Sequence, residues 1–165
     1  MITIRRADDS DISALEQAFD SSWARTHADD IADQQSGAIS FYVAWIDGQP
    51  VGHAFVNWTS ARQPEPAAAY PDVPEIYRLA VLDAFRRRGI ARSLIERCEA
   101  EARERGIRVM GLGTDPHLPE QDNLYYRMGY RDSGIGIFDD VYRSLDDGAE
   151  VREDTRFVIK EVHSA

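Results

Sequence analysis

At Gly89 the hydrophobic rhythm of the chain changes, and no other point constrains the fold as tightly. Upstream, Glu75-Ile76-Tyr77-Arg78-Leu79-Ala80-Val81-Leu82 is dense in apolar and β-prone residues and predicts a central strand. Downstream, Ala91, Leu94, Ile95, Cys98 and Ala102 recur at three and four residues. That is the buried stripe of an amphipathic helix starting at Ile90 and ending near Gly106. Arg86-Arg87-Arg88-Gly89 joins the two, so a strand feeds a glycine turn and then a helix. Such a junction suits an anion. The helix start offers unpaired N–H groups, the helix dipole adds partial positive charge, and Gly89 lets the backbone come close. The competing reading is a basic helix start with solvated arginines. Arginine there is unfavourable by ~0.3–1 kcal/mol unless an anion compensates.

The remaining pattern completes an α/β order. Ile2 to Arg6 alternates as a short strand. Asp8-Asp9-Ser10-Asp11 then signals a helix carrying Ile12, Leu15 and Phe19, and a second helix is expected within residues 21 to 38. Residues 41–46 and 51–58 flank Asp47-Gly48-Gln49-Pro50, a hairpin with Asp-Gly as its turn signal. Pro64, Pro66, Pro71 and Pro74 predict a surface loop over residues 59 to 74. Ile107 to Leu112 reads as a strand, and Leu124, Tyr125 and Met128 as a short helix stopped by Gly129. Two last strands, around Tyr130 to Phe138 and Thr155 to Val162, are expected on either side of an acidic loop. The order describes a mixed α/β sandwich in one domain over residues 1–165.

Composition narrows the function. The formal net charge is −10, which repels nucleic acid phosphates and favours cationic small molecules. No apolar run approaches the ~20 residues that cross a bilayer, so no membrane partner is expected. The start of the chain lacks the apolar block of a secretory signal. The single cysteine, Cys98, lies on the apolar helical stripe and fits a reducing cytoplasm better than a disulfide or a reactive thiol. His27, His53, His117 and His163 show no metal spacing, so no metal is expected. Two familiar phosphate loops are absent: there is no G-x-x-x-x-G-K-[ST], and Gly111-Leu112-Gly113 lacks a third glycine.

What remains is R-x-x-G-x-A after the strand Ile76-Tyr77-Arg78-Leu79-Ala80-Val81. Together with Leu124-Tyr125-Tyr126-Arg127-Met128-Gly129-Tyr130 and the element order, it resembles the GNAT superfamily of N-acetyltransferases. The resemblance implies a mostly antiparallel central sheet, flanked by helices, with a V-shaped splay between its two central strands. It implies acetyl-CoA as co-substrate. The pantetheine arm would pair with Leu79, Ala80 and Val81, and the pyrophosphate would lie on the turn of Arg86, Arg87, Arg88, Gly89, Ile90, Ala91 and Arg92.

Acetyl transfer to an amine needs a base for the ammonium proton, a donor for the oxyanion and a proton for the departing thiolate. Glu75 matches the strand glutamate that some family members use as general base, directly or through water. An exposed carboxylate at a strand edge is the competing reading. Gly113 stands where other relatives carry their glutamate. Tyr125, four residues before Gly129, matches the general-acid tyrosine, against a plain core aromatic. Leu118 replaces an asparagine that often contacts pantetheine, and Asn123 lies at the wrong spacing to substitute. Asp115 and His117 are substitute candidates for base or substrate contact. The expected reaction is direct attack by a primary amine within a ternary complex, the amine being that of a small molecule, an antibiotic included, or of a protein N-terminus, with the small molecule favoured. The rival readings are a non-catalytic acyl-CoA-binding module and a transferase of longer acyl groups. Trp23, His27, Asp29, Asp30, Asp33, the loop over residues 59 to 74, Asp139, Asp140 and Tyr142 are candidates for the acceptor pocket. By analogy, the C-terminal strands are expected to pair two copies into a homodimer.

Overall fold

Asp47 and Gly48 both adopt left-handed backbone angles, φ 49° and 77°, as a tight two-residue hairpin turn requires. They join β2 (Ile39–Ile46) to β3 (Gln49–Asn57), the hairpin expected from Asp-Gly. The computed structural model describes residues 1–19, 26–143 and 148–163. The other strands are β1 (Thr3–Arg6), β4 (Glu75–Val81), β5 (Val109–Thr114), β6 (Arg131–Arg143) and β7 (Glu150–Glu161). Among the described residues they form one seven-stranded sheet, ordered β1-β2-β3-β4-β5-β7-β6.

Every pairing is antiparallel except that of β4 with β5, which are parallel and pair only at Glu75↔Gly111 and Ile76↔Leu112. Beyond Ile76 the two strands part, and this is the expected splay. A bulge accompanies it. Arg78 has φ 49°, and the register against β3 slips by one residue between His53 and Phe55. An extra residue on one strand bends it away from its former line.

Helices cover both faces. On one, α4 (Ile90–Glu104) buries Leu94, Ile95, Cys98 and Ala102 among Tyr42, Val56, Ile76 and Met110. Each large apolar side chain buried this way contributes about 1.5–3 kcal/mol. Cys98 is fully enclosed and burial pushes its thiol pKa up, so it is an inert core residue, as its stripe position implied. Two carboxylates of α4 also turn inward, each with partners. Glu99 accepts from the Tyr130 hydroxyl at 2.9 Å and from Lys160 at 2.9 Å, and Glu101 accepts from Tyr42, Ser40 and Arg105. The other face carries α1 (Ile12–Ala18) and α2 (His27–Gln35), with Leu15 and Ile31 packed on Phe41, Val43 and Phe55. Asp8 and Thr26 open the two helical segments with capping boxes. Trp23 lies outside the described residues.

Two expectations need correction. Residues 59 to 74 are not loop throughout, for α3 spans Pro64–Ala69. Proline is favoured in the first turn of a helix, and Ala67-Ala68-Ala69 then extends it. The acidic segment between the last two strands is also largely strand. Asp139 pairs with Asp154 and Asp140 with Glu153 across β6 and β7. Arg152 lies 3.5 Å from Asp139, and the Tyr142 hydroxyl donates to Glu153 at 2.6 Å, which offsets the repulsion of facing carboxylates.

Candidate active site

The turn that opens α4 is built on two left-handed residues, Arg87 at φ 62° and Gly89 at φ 77°, with Gly89 as the helix N-cap. Ser93 N–H, bonding to the Gly89 carbonyl at 3.0 Å, makes the first turn's closing bond. The amides just ahead of it therefore have no helical acceptor. The residues that carry them line a cavity of about 600 Å³. One wall is Leu79, Ala80 and Val81. Arg86, Arg87, Gly89, Ile90, Ala91 and Arg92 form the end, and Leu124 and Tyr125 of α5 (Pro119–Arg127) close the other side. Leu79–Val81 belong to the part of β4 that has left β5, so among the described residues their outer backbone edge carries no strand partner. Unpaired amides beside an open strand edge are the donor set that a pyrophosphate and an amide-bearing arm require.

The arginines divide. Arg86 bonds Asp83 at 3.0 Å and Arg92 bonds Glu96 at 2.9 Å, while the Arg88 guanidinium turns onto the Phe85 ring at 5.1 Å and is not part of the cavity wall.

A second cavity of about 390 Å³ meets the first at Leu79, Leu118, Gln121 and Tyr125. Tyr125 thus stands at the junction. It is 7% exposed, and among the described residues its hydroxyl makes no hydrogen bond. Burial, with Asp122 nearby, pushes its pKa up to about 12, so the phenol keeps its proton at neutral pH. Tyr126 points elsewhere, its hydroxyl accepting from Arg156 at 3.4 Å.

Glu75 lines this second cavity and is only 2% exposed, which removes the reading of an exposed edge carboxylate. Arg62 donates to its Oε1 from Nε at 2.7 Å and from the backbone N at 3.2 Å. Burial raises the Glu75 pKa and Arg62 opposes that rise. Residues 59 to 74 were expected to contribute to the acceptor pocket, and Arg62 and Gln63 do line this cavity, but nothing in that proline-rich stretch singled out either residue or its tie to Glu75. The only signal there is a cation close ahead of the strand that carries Glu75. Asp115, Asp140, Glu153 and Asp154 add carboxylates to the wall. Arg78 also lines it and is engaged by Asp30 of α2 at 3.0 Å.

Other candidates fall outside. Asn123 lines neither cavity. His117 is exposed and bonds Asp154 at 2.9 Å, which raises its pKa. Gly113 lines the cavity, and a Cβ there would stand 2.9 Å from Thr155 Cγ2. Among the described residues no group of three or more His, Cys, Asp or Glu side chains is arranged to hold a metal, and no helix is long and apolar enough to cross a membrane.

Comparison with known proteins adds the family. The model described as "Acetyltransferase (GNAT) family" matches residues 10–130. An uncharacterized N-acetyltransferase of Chlorobaculum tepidum is 30% identical over 92 residues, 56% of this chain and 50% of that protein. The chain therefore spans about half the length of the curated relative it matches. An N-acetyltransferase of Staphylococcus aureus Mu50 superimposes with a TM-score of 0.72 at 21% identity, covering 99% of each chain. Salmonella typhimurium yncA, solved with its cofactor acetyl-CoA, gives 0.70 at 20% identity over 100% of this chain and 96% of that one. Identities this low speak to fold, and the fold agrees from end to end. The family match runs from the first helical segment through the glycine turn to the tyrosine element, and on it the chain belongs to the GNAT acetyltransferase family.

Proposed function

We propose that the protein transfers an acetyl group from acetyl-CoA to a primary amine of a small molecule, by direct attack in a ternary complex. One observation carries the reading. Tyr125 joins a cavity ending in a helix N-terminus to a cavity holding a buried carboxylate, Glu75.

Acetyl-CoA supplies the activated thioester. The first-turn amides of α4, with Arg86, Arg87 and Arg92 at the rim, bind its pyrophosphate, and Leu79–Val81 hold the pantetheine by strand-like hydrogen bonds. Glu75 takes the ammonium proton, directly or through a water. Its burial makes it a stronger base than an exposed carboxylate. Tyr125, protonated at neutral pH and free of other hydrogen bonds among the described residues, donates to the departing thiolate. A volume of about 390 Å³ suits a small acceptor, and the carboxylates on its wall favour a cationic one. The enclosed Cys98 is badly placed for a covalent acetyl-enzyme, and its single thiol fits a cytoplasmic setting. The homodimer through β6 and β7 belongs to the same proposal, and sedimentation tests it.

The test is thiol release from acetyl-CoA and longer acyl-CoAs across a library of small amines and peptide N-termini, with the product weighed by mass spectrometry. Amine-dependent release with the acetyl donor and a small amine is expected. Tight acetyl-CoA binding without release by any amine would make the protein a binding module. Faster release from a longer chain would replace the acetyl reading.

A further inference from the structure

The acceptor cavity contains a cation that the acetyl-transfer reading does not use. We infer that Arg62 is a positioning residue: from the segment ahead of α3 it keeps the Glu75 carboxylate ionised and turned toward the acceptor. The inference rests on the reading of Glu75 as the base.

The geometry is specific. Both bonds from Arg62 fall on the same oxygen, Oε1, one from Nε at 2.7 Å and one from the backbone N at 3.2 Å. Oε2 takes neither, which leaves one carboxylate oxygen for an incoming proton. The backbone bond fixes the carboxyl against the main chain, and the guanidinium lies 4.6 Å over the Tyr77 ring, which limits its swing. From β6, Asp140 approaches Arg62 at 3.8 Å, and Gln63 donates to the same Asp140 at 2.8 Å and to the Val141 carbonyl at 3.2 Å. Two consecutive residues, Arg62 and Gln63, thus tie the β4 carboxylate to β6 across the cavity.

The charge balance gives this arrangement a purpose. The cavity that Glu75 lines also holds Asp140 on β6, Glu153 and Asp154 on β7 and Asp115 after β5, with the neutral phenols of Tyr77 and Tyr125, and Asp140 acts on Glu75 directly. The cations on the same wall are Arg62 and Arg78, and Arg78 is engaged by Asp30. Burial and like charges favour the protonated acid, which cannot accept a proton from an ammonium. Arg62 works against both, and Asp140 works with them. Lysine would restore the charge and keep the backbone bond, without the planar guanidinium that sets Nε on Glu75 and its far end toward Asp140.

The test tracks the Glu75 carboxyl itself by NMR of protein carrying 13C at the glutamate carboxyls, with Glu75→Gln assigning its resonance. In Arg62→Gln the titration midpoint is expected to rise by about one to three pH units, in Arg62→Lys by less, and in Asp140→Asn to fall. Loss of packing alone would not move the midpoint in opposite directions. Thiol release with the amine identified by the library screen should fall in Arg62→Gln near neutrality and recover at higher pH, and Arg62→Gln should cause no further loss when added to Glu75→Gln. Acetyl-CoA affinity, measured by calorimetry, should hold. An unmoved midpoint in Arg62→Gln overturns the inference while leaving Glu75 as base. If Arg62→Gln does not fold, Arg62→Lys and Asp140→Asn decide the matter by their signs. If Glu75→Gln turns over at the native rate, the reading of Glu75 fails instead, and the NMR result reports separately on the ion pair.

Discussion

The ring of Phe157 fills the space in which a side chain on Gly111 would stand: a Cβ at Gly111 would lie 2.2 Å from its Cζ. Gly111 is also the parallel partner of Glu75, so the ring, the glycine and the carboxylate are fixed in one stack of neighbours. Gly111→Ala should destabilise the protein by about 1–3 kcal/mol through overpacking. Urea denaturation would show it, and adding Phe157→Leu should recover part of the loss. Simple additivity of the two substitutions would contradict the contact.

The turn at α4 makes opposite predictions for neighbouring residues. Gly89→Ala meets no atom within 4 Å but keeps φ +77°, so it should cost about 1 kcal/mol in strain alone. Arg87→Gly relieves a left-handed arginine and should leave stability equal or higher. Both should weaken acetyl-CoA binding severalfold, the first by distorting the amides and the second by removing a cleft guanidinium. Thermal melts with calorimetric titration separate the two effects.

Tyr125→Phe removes a hydroxyl that makes no hydrogen bond among the described residues. Stability should stay within about 0.5 kcal/mol, and acetyl-CoA affinity should hold. Turnover should fall by about a hundredfold, the usual scale for a general acid. A large loss of stability in the melt would instead mark the phenol as structural.

His53, buried on β3 between Phe19, Phe41 and Phe55, has its pKa lowered to about 4 by burial, with Arg78 adding to the effect. The unfolded chain binds this proton first, with an ordinary pKa of 6.5. Stability is therefore intact above about pH 6.5 and lost as the pH falls toward 4, by up to about 3 kcal/mol. Urea midpoints across that window should fall less steeply in His53→Leu than in the native protein.

Much of this was readable in the chain because it is local. Asp47-Gly48 sets a turn by its own backbone preferences, and the period change at Ile90 places a helix N-terminus against a strand end. The features that escaped are long-range or solvated. Arg62 and Asp140 are far apart in sequence and meet only because β6 returns across the cavity. The outer halves of β6 and β7 carry charges on both sides of an exposed ribbon, so they show no alternation to mark them as strands. The prolines of α3 read as breakers because their helix-starting role depends on the alanines that come after them.

The pairing of β4 with β5 can be restated mechanically. Strands β1 to β4 form one leaf and β5 to β7 another, and Glu75↔Gly111 and Ile76↔Leu112 are the hinge between them. Under the proposed function, the extended pantetheine arm along Leu79–Val81 would bridge the leaves at their open end, like a rivet. Glu75 stands on the hinge line itself, where the two leaves remain joined.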